Sequence, residues 1–124
     1  MEFSLTSRRQ GDVVVVSACG ELDATTSPRL SEELNRALDD DVACSGLVVD
    51  LADVGFCDSR CIGVLVATYR RSRELGVRLA VAAPQRPVYR LFVIAGIDQV
   101  LTIHQDVKTA LSVLSANPEP TGNP

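Results

Sequence analysis

Phe3 and Leu5 alternate with polar neighbours as far as Arg9, the period of a strand with one buried face. Gln10-Gly11-Asp12 is a turn signal. Val13 to Ala18 is a dense β-branched run that suits a strand buried on both faces. Gly20-Glu21-Leu22-Asp23 is expected to leave that strand. Thr26 or Ser27 is placed to cap a helix, with Pro28 at its first position. Leu30, Leu34 and Leu38 fall on one face of that helix. Three acids at a helix C-terminus would oppose the macrodipole, so Asp39-Asp40-Asp41 is expected in a solvated loop.

Leu47 to Leu51 reads as a short apolar strand, and Ala52 to Ser59 as a polar connection. A helix is expected from about residue 60, with Ile62, Leu65, Val66 and Tyr69 at the i, i+3, i+4, i+7 spacing. Its Arg70, Arg71, Arg73 and Glu74 suit a solvated face near the C-terminus. Gly76 is a good C-terminal cap. Val77 to Ala82 is a strand that Pro84 breaks. Val88, Leu91, Phe92 and Ala95 form a one-sided helix stopped by Gly96. Val100 to Ile103 is a short strand, and Val107, Ala110, Leu111 and Leu114 mark a last helix. Residues 116–124 hold three prolines and are expected to be a disordered tail. Helices with one apolar stripe cover a sheet, so residues 1–115 should be a single α/β domain, a mixed β-sheet covered by amphipathic helices.

Composition narrows the function. Hydrophobic residues are 46% and charged residues 23% of the chain, an ordinary globular balance. The net charge of −4, aromatics at 4% and the lack of Trp argue against a nucleic-acid partner. No apolar run approaches a membrane span and no signal peptide opens the chain, so the expectation is a cytoplasmic protein with reduced thiols. Four cysteines and one histidine, His104, make no zinc spacing. Cys19 reads as core filling, while Cys44 falls in a polar connection. Nucleotide loops and a GxSxG elbow are missing, and no cofactor is expected. Asp50, Asp53 and Asp58 read first as turn-forming acids.

The segment Asp50–Val66 stands apart. Ser59 sits where a helix begins, and its first reading is an N-cap. A helix N-terminus also accommodates an anion, and a phosphoryl group there would add about −1.5 to −2 charges. At this segment the chain resembles the anti-sigma factor antagonists of bacteria, members of the STAS domain family. The resemblance covers about residues 3–115. It rests on Gly20-Glu21-Leu22-Asp23 with Thr26, Val48-Val49-Asp50-Leu51, Val54-x-Phe56-x-Asp58-Ser59, Ile62-Gly63-Val64-Leu65, and Arg90-Leu91-Phe92 with Ala95-Gly96-Ile97.

The resemblance implies a protein–protein switch. The partner would be an anti-sigma factor, typically a serine kinase of the histidine-kinase-like ATPase superfamily, whose capture releases a sigma factor. Phosphorylation of Ser59 would end capture, and a PP2C-type phosphatase would restore it. Asp58 would shape the site, Asp23 would lie beside the acceptor, and Ile62 and Leu91 would help form the partner face. Arg60 and Cys61 depart from the family, which usually has Ser, Thr or Ala and then Gly after the acceptor. Arg60 could pair with a phosphate on Ser59 or with an acid of the partner. Cys61, in a first helical turn beside Arg60, should tend toward a lowered pKa; Cys57 reads first as apolar packing and Cys61 as a small tolerated side chain, with gating of the surface by their oxidation as the alternative. Two rival readings are a STAS subunit of a larger assembly, with Ser59 only a cap, and a thiol enzyme with Cys61 as nucleophile and His104 as base.

Overall fold

A computed structural model describes residues 2–39 and 43–116. Asp40 and Asp41 of the acidic loop, and residues 117–124 of the expected tail, lie outside the described residues. The elements run β1 (Ser4–Gln10), β2 (Val13–Leu22), α1 (Ser27–Ala37), β3 (Gly46–Cys57), α2 (Ser59–Leu75), β4 (Arg78–Ala82), α3 (Arg86–Ile94), a 3-10 turn (Ile97–Gln99), β5 (Thr102–His104) and α4 (Val107–Ala116). The sheet order is the chain order, β1 to β5. β1 pairs antiparallel with β2, while β2–β3, β3–β4 and β4–β5 are parallel. The expected mixed sheet is therefore present.

Three crossovers stepping in one direction put α1, α2 and α3 on the same face, given their right-handed preference. Under them lie Val14, Val16, Ala18, Leu47, Val49, Leu51, Leu79 and Val81, packed with Leu30, Leu34, Leu65, Val88 and Phe92. The alternate residues Val13, Val15, Val48, Ala80 and Ala82 face the other way and meet Ala110 and Leu114 of α4. That double coverage is why the middle strands read as unbroken apolar runs. Gly46 is held by this packing: a Cβ there would lie 3.1 Å from Leu114 Cδ1.

The chain departs from expectation most at β3. Ala52–Ser59 is not a connection; the strand continues to Cys57, and β2 continues to Leu22 beside it. Two irregularities explain why alternation does not reveal it. Ser17 pairs with Asp50 but Cys19 with Asp53, and Gly20 pairs with Val54 but Glu21 with Phe56. Each step inserts one extra residue in β3, the signature of a β-bulge. Inward positions then fall at Leu51, Val54 and Cys57, three apart rather than two.

The buried stripe of α2 is Cys61, Leu65, Thr68 and Ser72, one position round from the expected one. Ile62, Val66 and Tyr69 flank it, half-buried. Two polar residues fit the stripe because Thr68 Oγ1 donates to Val64 O at 2.8 Å and Ser72 Oγ to Tyr69 O at 2.8 Å. The arginine face is also more than solvated surface, since Arg71 Nη1 donates to Asn35 Oδ1 at 2.6 Å and ties α2 to α1. Toward the C-terminus, β5 starts at Thr102 because Ile97–Gln99 closes a turn and leaves Val100 exposed. Ala116 is the last residue of α4 rather than the first of a tail.

Candidate functional site at the start of α2

The last rung of the β2–β3 ladder joins Leu22 to Cys57. Beyond it, Asp58 N donates to Leu22 O at 3.1 Å. The segments following both strands therefore emerge side by side at the C-terminal end of the parallel strands. This places Asp23 and Asp58-Ser59 on one rim.

Asp58, not Ser59, is the N-cap. Its backbone is extended (φ −106°, ψ −172°), and its side chain accepts a hydrogen bond from Arg60 N at 2.9 Å. Ser59 is the first helical residue and is exposed. Both residue types cap well; the ladder decides between them by holding residue 58 in β geometry. Replacing Asp58 with Ala should therefore cost about 0.5–2 kcal/mol. Ser59→Ala should stay within about 0.5 kcal/mol. Urea denaturation of the two variants checks this; a larger loss at Ser59 would assign the cap to the serine.

Asp23 is fixed by its own turn. Its Oδ1 accepts from Thr25 N at 2.9 Å and Thr26 N at 3.1 Å. Thr26 occupies the N-cap position of α1 without a side-chain bond to the helix. Its hydroxyl instead accepts from Asp23 N at 2.9 Å and donates to Glu21 O at 2.6 Å. The amide of Thr26, then that of Thr25, holds the Asp23 carboxyl below its ordinary range. A depressed folded-state value contributes stability that is present above the unfolded pKa and is lost as pH falls through the folded one. Asp23→Asn should therefore flatten the acid limb of the stability curve, read by urea midpoints between neutral pH and acid.

Arg60 folds back onto the cap, with Nη1 at 3.3 Å from Asp58 Oδ2. The guanidinium side chain is 62% exposed, so this pair is worth about 0–1 kcal/mol and releases readily. Cys57 and Cys61 are brought together. The Cys57 side chain, burial and the Asp58 charge all push the Cys61 thiol well above the ordinary thiol range. The expected lowering at Cys61 is overturned, because the residue points into the core instead of lying open beside Arg60.

Ile62 and Leu91 are both half-buried against the main core. A larger apolar feature lies on the outer side of α3, where Tyr89, Val93 and Ile94 are exposed, Ile94 at 77%; Phe56 on β3 is exposed as well. Sequence reasoning missed this face. Its signal was present, since from Val88 to Ile94 only Arg90 is polar. The thiol-enzyme arrangement fails on geometry. Ile103 packs with the α1–α3 core, so His104 projects to the other face, whereas Cys61 lies in the α1–α3 core. The sheet separates the two.

The three acids of the segment have structural duties or none. Asp50 accepts from Ser17 Oγ at 2.8 Å and Ala52 N at 3.1 Å, Asp58 caps α2, and Asp53 is exposed. Among the described residues, no group of three or more His, Cys, Asp or Glu side chains is placed to hold a metal, and no helix is long and apolar enough to cross a membrane.

A five-stranded mixed sheet with helices on both faces, and an exposed serine opening the second helix, define a small α/β module whose distinctive feature is a surface rather than a cleft. The STAS domain family matches residues 4–110, and the chain belongs to that family. An anti-sigma F factor antagonist of Paenibacillus polymyxa is 27% identical over 114 residues, spanning 92% of this chain and 97% of that protein. An anti-sigma-B factor antagonist of Listeria monocytogenes is 30% identical over 97 residues, 77% of this chain and 82% of that protein. The crystal structure of an anti-sigma factor antagonist from Mycobacterium paratuberculosis superposes with a TM-score of 0.82 at 26% identity, covering 92% of this chain and 95% of that one.

Proposed function

We propose that this protein is an anti-sigma factor antagonist, a binding regulator without catalysis of its own, that captures an anti-sigma factor and so frees a sigma factor. The capturing surface is the start of α2, with the rim residue Asp23 and Ile62, extended by α3 through Leu91 and its exposed neighbours. The partner is a serine kinase of the histidine-kinase-like ATPase type, which ends its own capture by phosphorylating Ser59; a PP2C-type phosphatase reverses the step. The setting is the cytoplasm.

The observation that carries this reading is the division of labour between Asp58 and Ser59. Because Asp58 takes the capping duty, the Ser59 hydroxyl is exposed and available for transfer without undoing the helix. A phosphoryl group at that first position would meet the free amides and positive end of α2. Arg60 is close enough in sequence to leave Asp58 and pair with it. The partner, by contrast, would meet about two new negative charges in the middle of the docking surface.

The test is intact-mass analysis of the protein from its native cells, growing and stressed, with phosphosite mapping. A single phosphate on Ser59 that changes with condition is the expected result. A protein that co-purifies with an anti-sigma factor yet never carries phosphate would leave a constitutive binder and remove the switch.

A further inference from the structure

We propose that Cys57 and Cys61 form a two-thiol oxidation site for hydrogen peroxide, whose disulfide encloses Asp58-Ser59-Arg60 and takes the docking surface out of use. The proposal adds a second control to the Ser59 surface and rests on that reading for its biological effect, though not for its chemistry.

The two cysteines belong to different elements yet share one place. Cys57 is the last residue of β3 and Cys61 lies in the first turn of α2, and both join the core beneath that turn. Both reach one atom, because Asp58 O accepts from Cys61 N at 3.1 Å and lies 3.7 Å from Cys57 Sγ. They differ in access: Cys57 keeps 8% exposure and Cys61 has none. Cys57 also touches the segment they enclose, its Sγ donating to Asp58 O at 3.7 Å. The remaining cysteines are arranged differently. Cys19 lies on β2, and Cys44 sits against Ala37 O at 3.4 Å.

This asymmetry orders the chemistry. The Cys57 thiolate attacks one peroxide oxygen, and the O–O bond breaks. The hydroxide released takes up the former thiol proton as water, leaving a sulfenic acid on Cys57. Cys61 then attacks the Cys57 sulfur. The S–S bond forms as the S–O bond breaks, and the departing hydroxyl leaves as water with the Cys61 proton. Two thiols lose two electrons and two protons, and one peroxide becomes two waters. Burial keeps Cys61 from being the entry point; once Cys57 is a sulfenic acid, its thiolate no longer holds the Cys61 proton in place, and Cys61 gives up that proton as it attacks.

A disulfide spans only about 2.05 Å between sulfurs, closer than any thiol–thiol contact. Closure therefore draws the end of β3 and the first turn of α2 together. The residues between them carry the cap bond from Arg60 N to Asp58 and the exposed Ser59. Displacing them changes the part of the surface that the partner must match.

The experiment uses the full chain, reduced and then treated with hydrogen peroxide. Expected is the loss of the mass of two hydrogens, a mapped Cys57–Cys61 cross-link, and reversal by dithiothreitol. The same loss should persist in a Cys19→Ser/Cys44→Ser variant and vanish in Cys61→Ala. Amide resonances of Asp58, Ser59 and Arg60 should shift on oxidation and return on reduction. Capture of the anti-sigma kinase should weaken about tenfold or more in the oxidised wild-type chain and not in Cys61→Ala. Peroxide that leaves residues 57 and 61 alkylatable while oxidising Cys19 or Cys44 overturns the proposal. So does over-oxidation of Cys57 without a cross-link, and so does a cross-linked chain that captures the kinase as well as the reduced one. Thiol mapping needs no partner, so a reduced chain that captures no anti-sigma kinase counts against the function proposed above and not against the dithiol.

Discussion

Ser59→Asp should weaken capture of the anti-sigma factor about tenfold or more while leaving the fold at least as stable as before. The two effects have different origins and opposite signs. Residue 59 is the first helical position of α2, and a carboxylate there interacts favourably with the helix dipole, by about 0.3–1 kcal/mol. The same charge lies exposed in the middle of the proposed docking surface, where an apposed partner must desolvate it. Loss of binding can then not be assigned to unfolding. Calorimetric titration of the wild type, Ser59→Asp and Ser59→Ala against the anti-sigma kinase, with a urea curve for each, separates the terms. Ser59→Ala should bind like the wild type. An Asp variant that binds equally well would move the docking surface away from the start of α2.

Phe92→Ala should be among the most damaging single changes, costing about 3–5 kcal/mol. Small domains hold only about 5–15 kcal/mol in total. Phe92 is fully buried, and with Val88 it supplies the buried face of α3, a helix of nine residues. A helix that short does not persist in water by itself. Truncating its larger anchor leaves a cavity and loosens the element that presents Tyr89, Val93 and Ile94. The expected readouts are a lower urea midpoint at unchanged slope and a fall in melting temperature on the order of 10–20 °C. Partner capture should fall too, in proportion to how far α3 contributes. A midpoint shifted by less than about 1 kcal/mol would mean that the site collapses around the smaller side chain.

Sequence reasoning succeeded where one periodicity held through a whole element. α1 and α4 each show a stripe matching their burial, Leu30 and Leu34 in one and Ala110 and Leu114 in the other. It failed where two signals competed. The bulges of β3 shift Val54 and Cys57 off a two-residue period, so a strand imitates an Asp- and Gly-rich loop. Asp58 and Ser59 are adjacent residues that both cap helices, and only the pairing of Cys57 with Leu22 shows which one precedes the helix. That Cys57 and Cys61 meet at the carbonyl of Asp58 was also illegible, because one residue belongs to a strand and the other to a helix, and no single spacing relates them. The apolar outer face of α3 could have been read from its composition and was hidden by attention to the buried stripe alone.

Sheet order that repeats chain order has a consequence for how the protein is made. Every strand pairs only with its neighbours in sequence, so none must be inserted between two strands already in place. A chain leaving the ribosome can lay down the β1–β2 hairpin, add β3 with α1 closing over it, and extend at one edge until β5 arrives. The final strand is only three residues long, and α4 then covers the face that the earlier helices leave open. The apolar groups of Val13, Val15 and Val48 thus stay uncovered until the last helix has emerged. Synthesis halted before residue 107 would leave that face bare, and such fragments should be preferred clients of chaperones and proteases.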